Sequence, residues 1–390
     1  MKLARSAAVA TAAVATVVAA LLGSLSTTMA SAIPGPNMAP DSNAAGPNAA
    51  PGSAVDGGQP AAQPLRAHAR RAGLPVGTAV DMAALEADAA YRDTVAAEFN
   101  SVTAENVMKW QLVEPVRGQL DFAAADELVR FAEEHGQQVY GHTLLWHNQL
   151  PTWLTNGVAD GSITPDELRQ LLRQHIVDQV THFRGKVVAW DVVNEVIDDN
   201  ANLRDTLWLR QLGPGYIADA FRWAHEADPK VKLYLNDYNI EGLNAKSDAY
   251  HELATRLLRE RVPVDGIGIQ GHLGVQFGFS NTVIENLRRF DELGLETSIT
   301  EADVRMLLPV DTVKLQAQAR GFLTLLEGCL LTPGCKRFTV WGFTDRYSWV
   351  PGFFTGQGAA TIMDERFQPK PAYEAIRNDL MLAGPPHHGR

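Results

Sequence analysis

Eight short runs of β-branched and apolar residues punctuate this chain, and the stretches between them carry helical spacing. The runs are Val76-Gly77-Thr78-Ala79-Val80, Ser101-Val102-Thr103-Ala104, Gln138-Val139-Tyr140-Gly141-His142, Val188 to Val193, Leu233-Tyr234-Leu235, Ile267-Gly268-Ile269, Thr297-Ser298-Ile299-Thr300 and Phe338-Thr339-Val340-Trp341. Runs of this length, rich in Val, Ile, Thr and aromatic residues, read as strands. Between them, Leu168, Leu171, Leu172, Ile176 and Val180 form one apolar stripe at helical spacing. Thr164-Pro165 ahead of that stripe supplies a cap and a first-turn proline. Strand and helix in such alternation point to an α/β fold with a parallel sheet. Eight repeats predict a (β/α)8 TIM barrel, one domain over 65–385.

The ends of the runs carry a second pattern. They read Glu105-Asn106, His142-Thr143, Asn194-Glu195, Asn236-Asp237-Tyr238, Gln270-Gly271-His272, Glu301-Ala302-Asp303 and Trp341. Barrel sites form at the carboxyl ends of the strands, so these seven rims share one mouth. Polar residues serving only solubility would scatter over the outer helix faces instead. Glu195 and Glu301 each close an apolar run, so each presents an acid at the rim. A lone rim glutamate is ordinarily a solvated charge. Two carboxylates facing across a barrel mouth are the machinery of glycosidic bond cleavage.

The N-terminus reads as a secretory signal peptide over 1–32. Lys2 and Arg5 start it, an Ala- and Val-rich run from Ala7 to Leu22 follows, and Ala30-Ser31-Ala32 is a cleavage site. A membrane anchor is the alternative, but the run is short and no basic stop follows it. Residues 33–64 are Pro, Gly, Ala, Asn and Ser with almost no large apolar side chain, which reads as a disordered tail or pro-segment. The net charge of −11 shows no basic cluster, so nucleic acid is not an expected partner. Cys329 and Cys335 are the only cysteines. In an exported chain they read as one local disulfide, with two buried thiols as the alternative. They lack the second pair that a structural zinc site needs, and no metal or cofactor is expected.

Four segments carry a family resemblance. They are Thr103-Ala104-Glu105-Asn106-Val107-Met108-Lys109-Trp110, Gly141-His142-Thr143-Leu144-Leu145-Trp146-His147, Trp190-Asp191-Val192-Val193-Asn194-Glu195 and Ile299-Thr300-Glu301-Ala302-Asp303. In chain order they resemble the motifs of family 10 glycoside hydrolases, the retaining endo-β-1,4-xylanases. The resemblance runs from roughly Gly77 to Tyr373. It implies a catalytic domain that hydrolyses internal bonds of xylan and xylo-oligosaccharides by double displacement. The leader adds the expectation of a secreted protein, free of the membrane once the signal is cleaved, and nothing in the sequence calls for more than a monomer.

The resemblance assigns Glu301 as nucleophile and Glu195 as proton donor and general base. It implies that His272 hydrogen-bonds the nucleophile and that Asp303 orients His272. For Asp303 a helix N-cap is an equal reading. Asn194 suits a bond to the sugar 2-hydroxyl, where bonds strengthen in the transition state. Strict strand alternation would put Asn194 and Glu195 on opposite faces, so the strand is expected to twist or bulge there. Gln270 fits the network near Glu195. Glu105, Asn106, Lys109 and His142 are expected to line the glycone side, with Lys109 supplying a fixed charge. Trp341 and Trp349 are expected to cover the sugar, joined by Trp146, because flat aromatic faces suit the C–H faces of a pyranose. Tyr238 resembles a leaving-side platform. Trp110, Trp153, Trp190, Trp208 and Trp223 read as packing, and His147 stays undecided between core and site support. Two competing readings are an enzyme for another β-1,4-glycan or for glycosyl transfer, and a non-catalytic polysaccharide-binding or inhibitor protein. The second loses a carboxylate as a rule, and both carboxylates stand here.

Overall fold

The structure is a computed structural model, and it describes residues 63–384. The expected leader over 1–32 and the tail over 33–64 lie outside the described residues, apart from Gln63 and Pro64. Ten strands are present: β1 Val76–Val80, β2 Ser101–Ala104, β3 Gln138–Gly141, β4 Val187–Asn194, β5 Lys232–Asp237, β6 Gly266–Ile269, β7 His272–Gly274, β8 Glu296–Leu307, β9 Cys335–Val340 and β10 Gln357–Gly358. Eight of them pair in parallel in the order β1-β2-β3-β4-β5-β6-β8-β9, and β9 returns to β1. The expected eight-stranded barrel is therefore closed, with helices between the strands.

The expected helix after Thr164 runs over Pro165–His182. The Thr164 side chain accepts from the Glu167 backbone N–H, and Pro165 fills the first turn, where its missing N–H costs nothing. Leu168, Leu172, Ile176 and Val180 are all buried along it. Its period-3.6 stripe faces the barrel, as amphipathic spacing requires.

β8 runs beyond the sequence reading, and β7 and β10 add two short strands to the eight expected. The Thr297–Thr300 run does not stop at Glu301; β8 continues to Leu307. The polar pair Glu301 and Asp303 masks the continuation, because Ala302, Val304 and Met306 keep alternating with them as fully buried residues. Past the barrel rim, β8 pairs in parallel with β7 and antiparallel with β10. Glu301 thus lies inside a strand and not at its end. Asp303 is likewise mid-strand, which removes the helix N-cap reading.

Packing around the barrel depends on specific small residues. Gly141 of β3 sits beside Trp190 of β4 in register. A methyl group at Gly141 would fall 2.2 Å from the Trp190 ring. The indole lies on bare backbone, and no other residue leaves it room. Behind this wall Trp110 stacks on His175 at 3.9 Å and on Trp208 at 5.9 Å. The Trp208 indole N–H donates to the carbonyl of Trp146 at 2.8 Å, so the aromatic stack supports a cleft residue. Trp190 and Trp208 are fully buried and Trp110 nearly so, while Trp153 and Trp223 are partly buried against the core. Cys329 and Cys335 are joined as a disulfide between the helix Thr312–Leu330 and β9.

Replacing Gly141 with Ala forces Trp190 off its seat. We expect a loss of about 1–3 kcal/mol in unfolding free energy, measured by urea titration of the two proteins.

Candidate active site

At the carboxyl end of the barrel an open cleft of about 680 Å³ gathers residues at or just past the ends of every barrel strand except β1. Glu105, Asn106, Lys109, His142, Trp146, Asn194, Glu195, Tyr238, Gln270, His272, Glu301, Trp341 and Trp349 all line it. Asp303 lies behind, almost fully buried.

Glu195 stands one residue past β4. The strand shifts register between Asp191 and Val193, and Glu195 takes a left-handed φ of 58°. The expected irregularity is thus a bulge followed by a turned-in residue. The left-handed conformation costs about 1–2 kcal/mol for a side-chain-bearing residue, and its neighbours hold it there. The Glu195 N–H donates to the Asn236 carbonyl at 2.8 Å, and the Glu195 carbonyl accepts from Arg204 Nε at 2.8 Å. Its carboxylate accepts from Trp146 Nε1 at 2.9 Å and from Gln270 Nε2 at 3.2 Å. The Trp146 indole N–H thus fixes an oxygen of Glu195, a role beyond the expected sugar cover. His147 Nε2 lies 3.9 Å from the same oxygen, which places it at the site and not in the core. Burial lowers the pKa of His147, so its ring is neutral near pH 7.

Glu301 is held differently. Asn236 Nδ2 donates to Oε1 at 2.7 Å, and the His272 ring meets Oε2 at 3.2 Å. The other nitrogen of His272 meets Asp303 Oδ2 at 2.9 Å, and Trp349 Nε1 donates to that same oxygen at 2.9 Å. Burial works against a charged imidazole, but Asp303 and Glu301 overcome it and raise the His272 pKa to about 10. Burial would also raise the pKa of Glu301. The electrostatic pull of His142 and His272, with hydrogen bonds from His272 and Asn236, outweighs it and holds Glu301 below the ordinary glutamate range. Glu301 is therefore an anion set against a cation, almost closed to solvent.

Several residues here escaped the sequence reading. Asn236 is the chief one; it bonds Asn194 Oδ1 at 2.9 Å as well as Glu301. Because the Glu301 carboxylate can only accept, Asn236 must turn its NH2 toward both neighbours. Asn194 then presents its oxygen to Asn236 and Gln270, and its own NH2 donates to Glu195 Oε1 at 3.5 Å. The reverse orientation of Asn194 would set two NH2 groups face to face. Gly268 makes space for this amide, since a Cβ there would fall 2.3 Å from Asn236 Oδ1. Asn236 stands in the polar rim after β5, which was the available signal. Asp191, buried in β4, accepts from the Tyr140 hydroxyl at 2.7 Å and meets His142 Nδ1 at 2.8 Å. Gln149 accepts from Lys109 Nζ at 2.7 Å and donates to Asn106 at 3.1 Å. Lys109 is buried just ahead of a short helix and faces Glu301, Glu105 and Glu195 electrostatically, not a solvated helical face. Burial and Asp81 push the Glu105 carboxyl up to about 7. Tyr238 has its hydroxyl bonded to Arg204 at 2.9 Å and its ring 3.5 Å from Lys246 Nζ.

The donor atoms of His142, Asp191 and Glu301 lie within 4.8 Å of one another, close enough for a cation. Both Asp191 oxygens and the His142 nitrogen are already engaged in hydrogen bonds to each other and to Tyr140. This trio orients the ring beside Glu301 and is not a ligand set in waiting.

The arrangement of two carboxylates, one wrapped in cationic and amide donors and one held at the rim by an indole, suits acid–base and nucleophilic work on a glycoside. Residues 64–379 match the family description "Glycosyl hydrolase family 10". The chain belongs to glycosyl hydrolase family 10. Among its relatives in that family, it is 44% identical over 280 residues to an endo-1,4-beta-xylanase of Agaricus bisporus, covering 72% of this chain and 83% of that protein. It is 42% identical to endo-1,4-beta-xylanase B of Thermotoga neapolitana, over 80% of this chain and 90% of that one. The crystal structure of xylanase 10B from Thermotoga petrophila RKU-1 in complex with xylobiose superposes with a TM-score of 0.79 at 42% identity, covering 83% of this chain and 98% of that one.

His272→Ala removes the cation beside Glu301, so the Glu301 pKa rises. The acid limb of the pH profile of kcat/KM should move to higher pH, because more of the anion is titrated at a given acidity. An unmoved limb would sever His272 from Glu301.

Proposed function

We propose that this chain is a secreted endo-1,4-β-xylanase that cleaves internal β-1,4-xylosidic bonds of xylan and xylo-oligosaccharides with retention of configuration. The observation that carries the reading is the asymmetry of the two carboxylates within a family 10 cleft. Glu301 is kept anionic by His272 and His142, as a nucleophile must be. Glu195 is held by the indole of Trp146 and the amide of Gln270, at the strand end where a leaving oxygen can reach it. The xylanase relatives and the xylobiose-bound neighbour support xylose as the sugar.

The reaction then runs in two displacements. Glu301 attacks the anomeric carbon as Glu195 gives its proton to the departing oxygen, and a glycosyl ester on Glu301 results. The negative charge that faced Glu195 is now spent in the ester. Glu195, left as an anion, takes a proton from water, and the water oxygen displaces Glu301. Asn194 offers the second N–H of its amide toward the 2-hydroxyl. Trp341, edge-on to His142 at 5.1 Å, and Trp349 close over the reacting ring. Their cover leaves little room for the extra hydroxymethyl group of glucose, which supports xylan over cellulose. Export rests on the leader reading over 1–32. A single barrel bearing all of the site residues supports action as a monomer.

With an aryl β-xylobioside, Glu301→Ala should lose activity and regain it with azide, giving an α-configured xylobiosyl azide. Glu195→Ala should give the β-azide. NMR of the two products tests both roles, and full activity of Glu301→Ala would end the proposal. The unaltered enzyme should show a higher kcat/KM on an aryl β-xylobioside than on an aryl β-cellobioside, and the reverse order would exclude the xylose preference.

A further inference from the structure

The cleft holds a cation, Arg305, that forms no ion pair among the described residues, although the charge of Asp303 acts on it. Side chains on a strand alternate, so Glu301, Asp303 and Arg305 share the cleft face of β8, while Ala302, Val304 and Met306 are buried on the other. Four residues of strand carry Arg305 about 13 Å beyond Glu301, past the sugar that reacts. Its guanidinium carbon lies 4.1 Å from the ring centre of Phe354 and 5.7 Å from that of Phe277. Stacking of this kind fixes the plane of the fork and leaves its edge free.

The hydrogen bonds of Arg305 are few and long. Nη1 donates to the carbonyls of His272 and Leu273 at 3.4 and 3.3 Å. Nε is buried without a partner, and Nη2 has none among the described residues. The nearest acid, Asp303, has its Oδ2 engaged by His272 and Trp349. The other two long cations of the cleft are occupied. Lys109 is bonded to Asn106 and Gln149, and Arg204 to the Glu195 and Ile197 carbonyls and the Tyr238 hydroxyl. In a chain of net charge −11, a half-buried arginine with donors to spare has given up hydration without receiving a carboxylate in return.

Resting on the xylanase reading above, we propose that Arg305 recognises the carboxylate of a uronic acid branch carried on the xylan backbone. A guanidinium fork matches a carboxylate edge-to-edge with two parallel N–H···O bonds. Phe353 and Phe277, 71% and 74% exposed beside it, give the branch sugar apolar faces to lie against. Phe353 itself packs on Trp349 at 5.3 Å and on Phe354 at 4.8 Å, so the shelf is continuous with the cover of the reacting sugar. The enzyme therefore selects branched, acidic stretches of the polymer and does not merely tolerate them.

The test uses three xylo-oligosaccharides of one length: linear, uronate-branched, and the same branch with its carboxyl reduced to the alcohol. Within each protein the ratio of kcat/KM for uronate-branched over linear substrate is compared, so a general loss of folded enzyme cancels. Arg305→Gln should lower the ratio roughly tenfold, and Arg305→Glu further. Arg305→Lys should lose part of it, because an ammonium keeps the charge but not the two-bond fork, and the loss should fall in KM and not in kcat. The unaltered enzyme should prefer the uronate over the reduced branch. Equal rates on those two substrates, or a ratio unchanged in both the Gln and Glu variants, would overturn the proposal. Inactivity of the unaltered enzyme on the linear substrate would instead strike at the xylanase reading.

Discussion

The side-chain amide of Asn236 has two N–H bonds and one carbonyl, and all are engaged within the site. The NH2 group reaches Asn194 and Glu301, the carbonyl oxygen accepts from Thr300 at 2.7 Å, and the backbone carbonyl takes the N–H of Glu195. One residue of β5 thus fixes the backbone of one glutamate and the carboxylate of the other. Glu195 and Glu301 come from β4 and β8, which do not pair with each other. Their mutual placement passes through Asn236 and through the parallel ladders that carry it. Gly268 next door is part of the same device, because any side chain there would evict the amide.

The electrostatic arrangement follows from that placement. A buried carboxylate left alone would take up a proton. Here Glu301 has a histidine on either side, each anchored by its own aspartate: Asp303 behind His272 and Asp191 behind His142. The two aspartates are almost fully buried, so the hydrogen bonds that anchor the two rings lie in a region of low dielectric, where an unpaired polar group would be costly. Glu195 has no such pair. Its oxygens meet an indole, an amide and a histidine whose burial keeps it neutral. The same residue type is thereby given two environments on opposite walls of one cleft.

Much of this was legible from residue order. Eight apolar runs dictated the barrel, and the polar ends of those runs dictated where its site would lie. The need for a bulge before Glu195 came from alternation alone and is met by a register shift two residues earlier. What stayed hidden has one physical cause: the sequence shows what a residue is, and not what it faces. Asn236 was visible as a rim residue but not as the partner of both glutamates. Asp191 sits inside an apolar run and reads as an interruption until Tyr140 and His142 are seen around it. The length of β8 was hidden for a related reason. Its cleft-facing positions beyond Thr300 are charged, so the β-branched and apolar run that marked the strand ends at Glu301, although the alternation itself continues to Leu307.

The extra length of β8 sets the two glutamates apart in their freedom to fluctuate. Glu301 has ladder hydrogen bonds before and after it, and the strand is clasped above the rim by β7 and β10. Releasing its backbone requires a sub-global opening that disrupts two sheets at once. Glu195 stands one residue past β4, in a left-handed conformation, with a loop directly after it. Local unfolding from that loop reaches it first. Variation that lengthens or softens the loop after β4 can therefore retune the proton-handling side of the cleft, while the anionic side keeps a geometry set inside a strand that is paired along both edges.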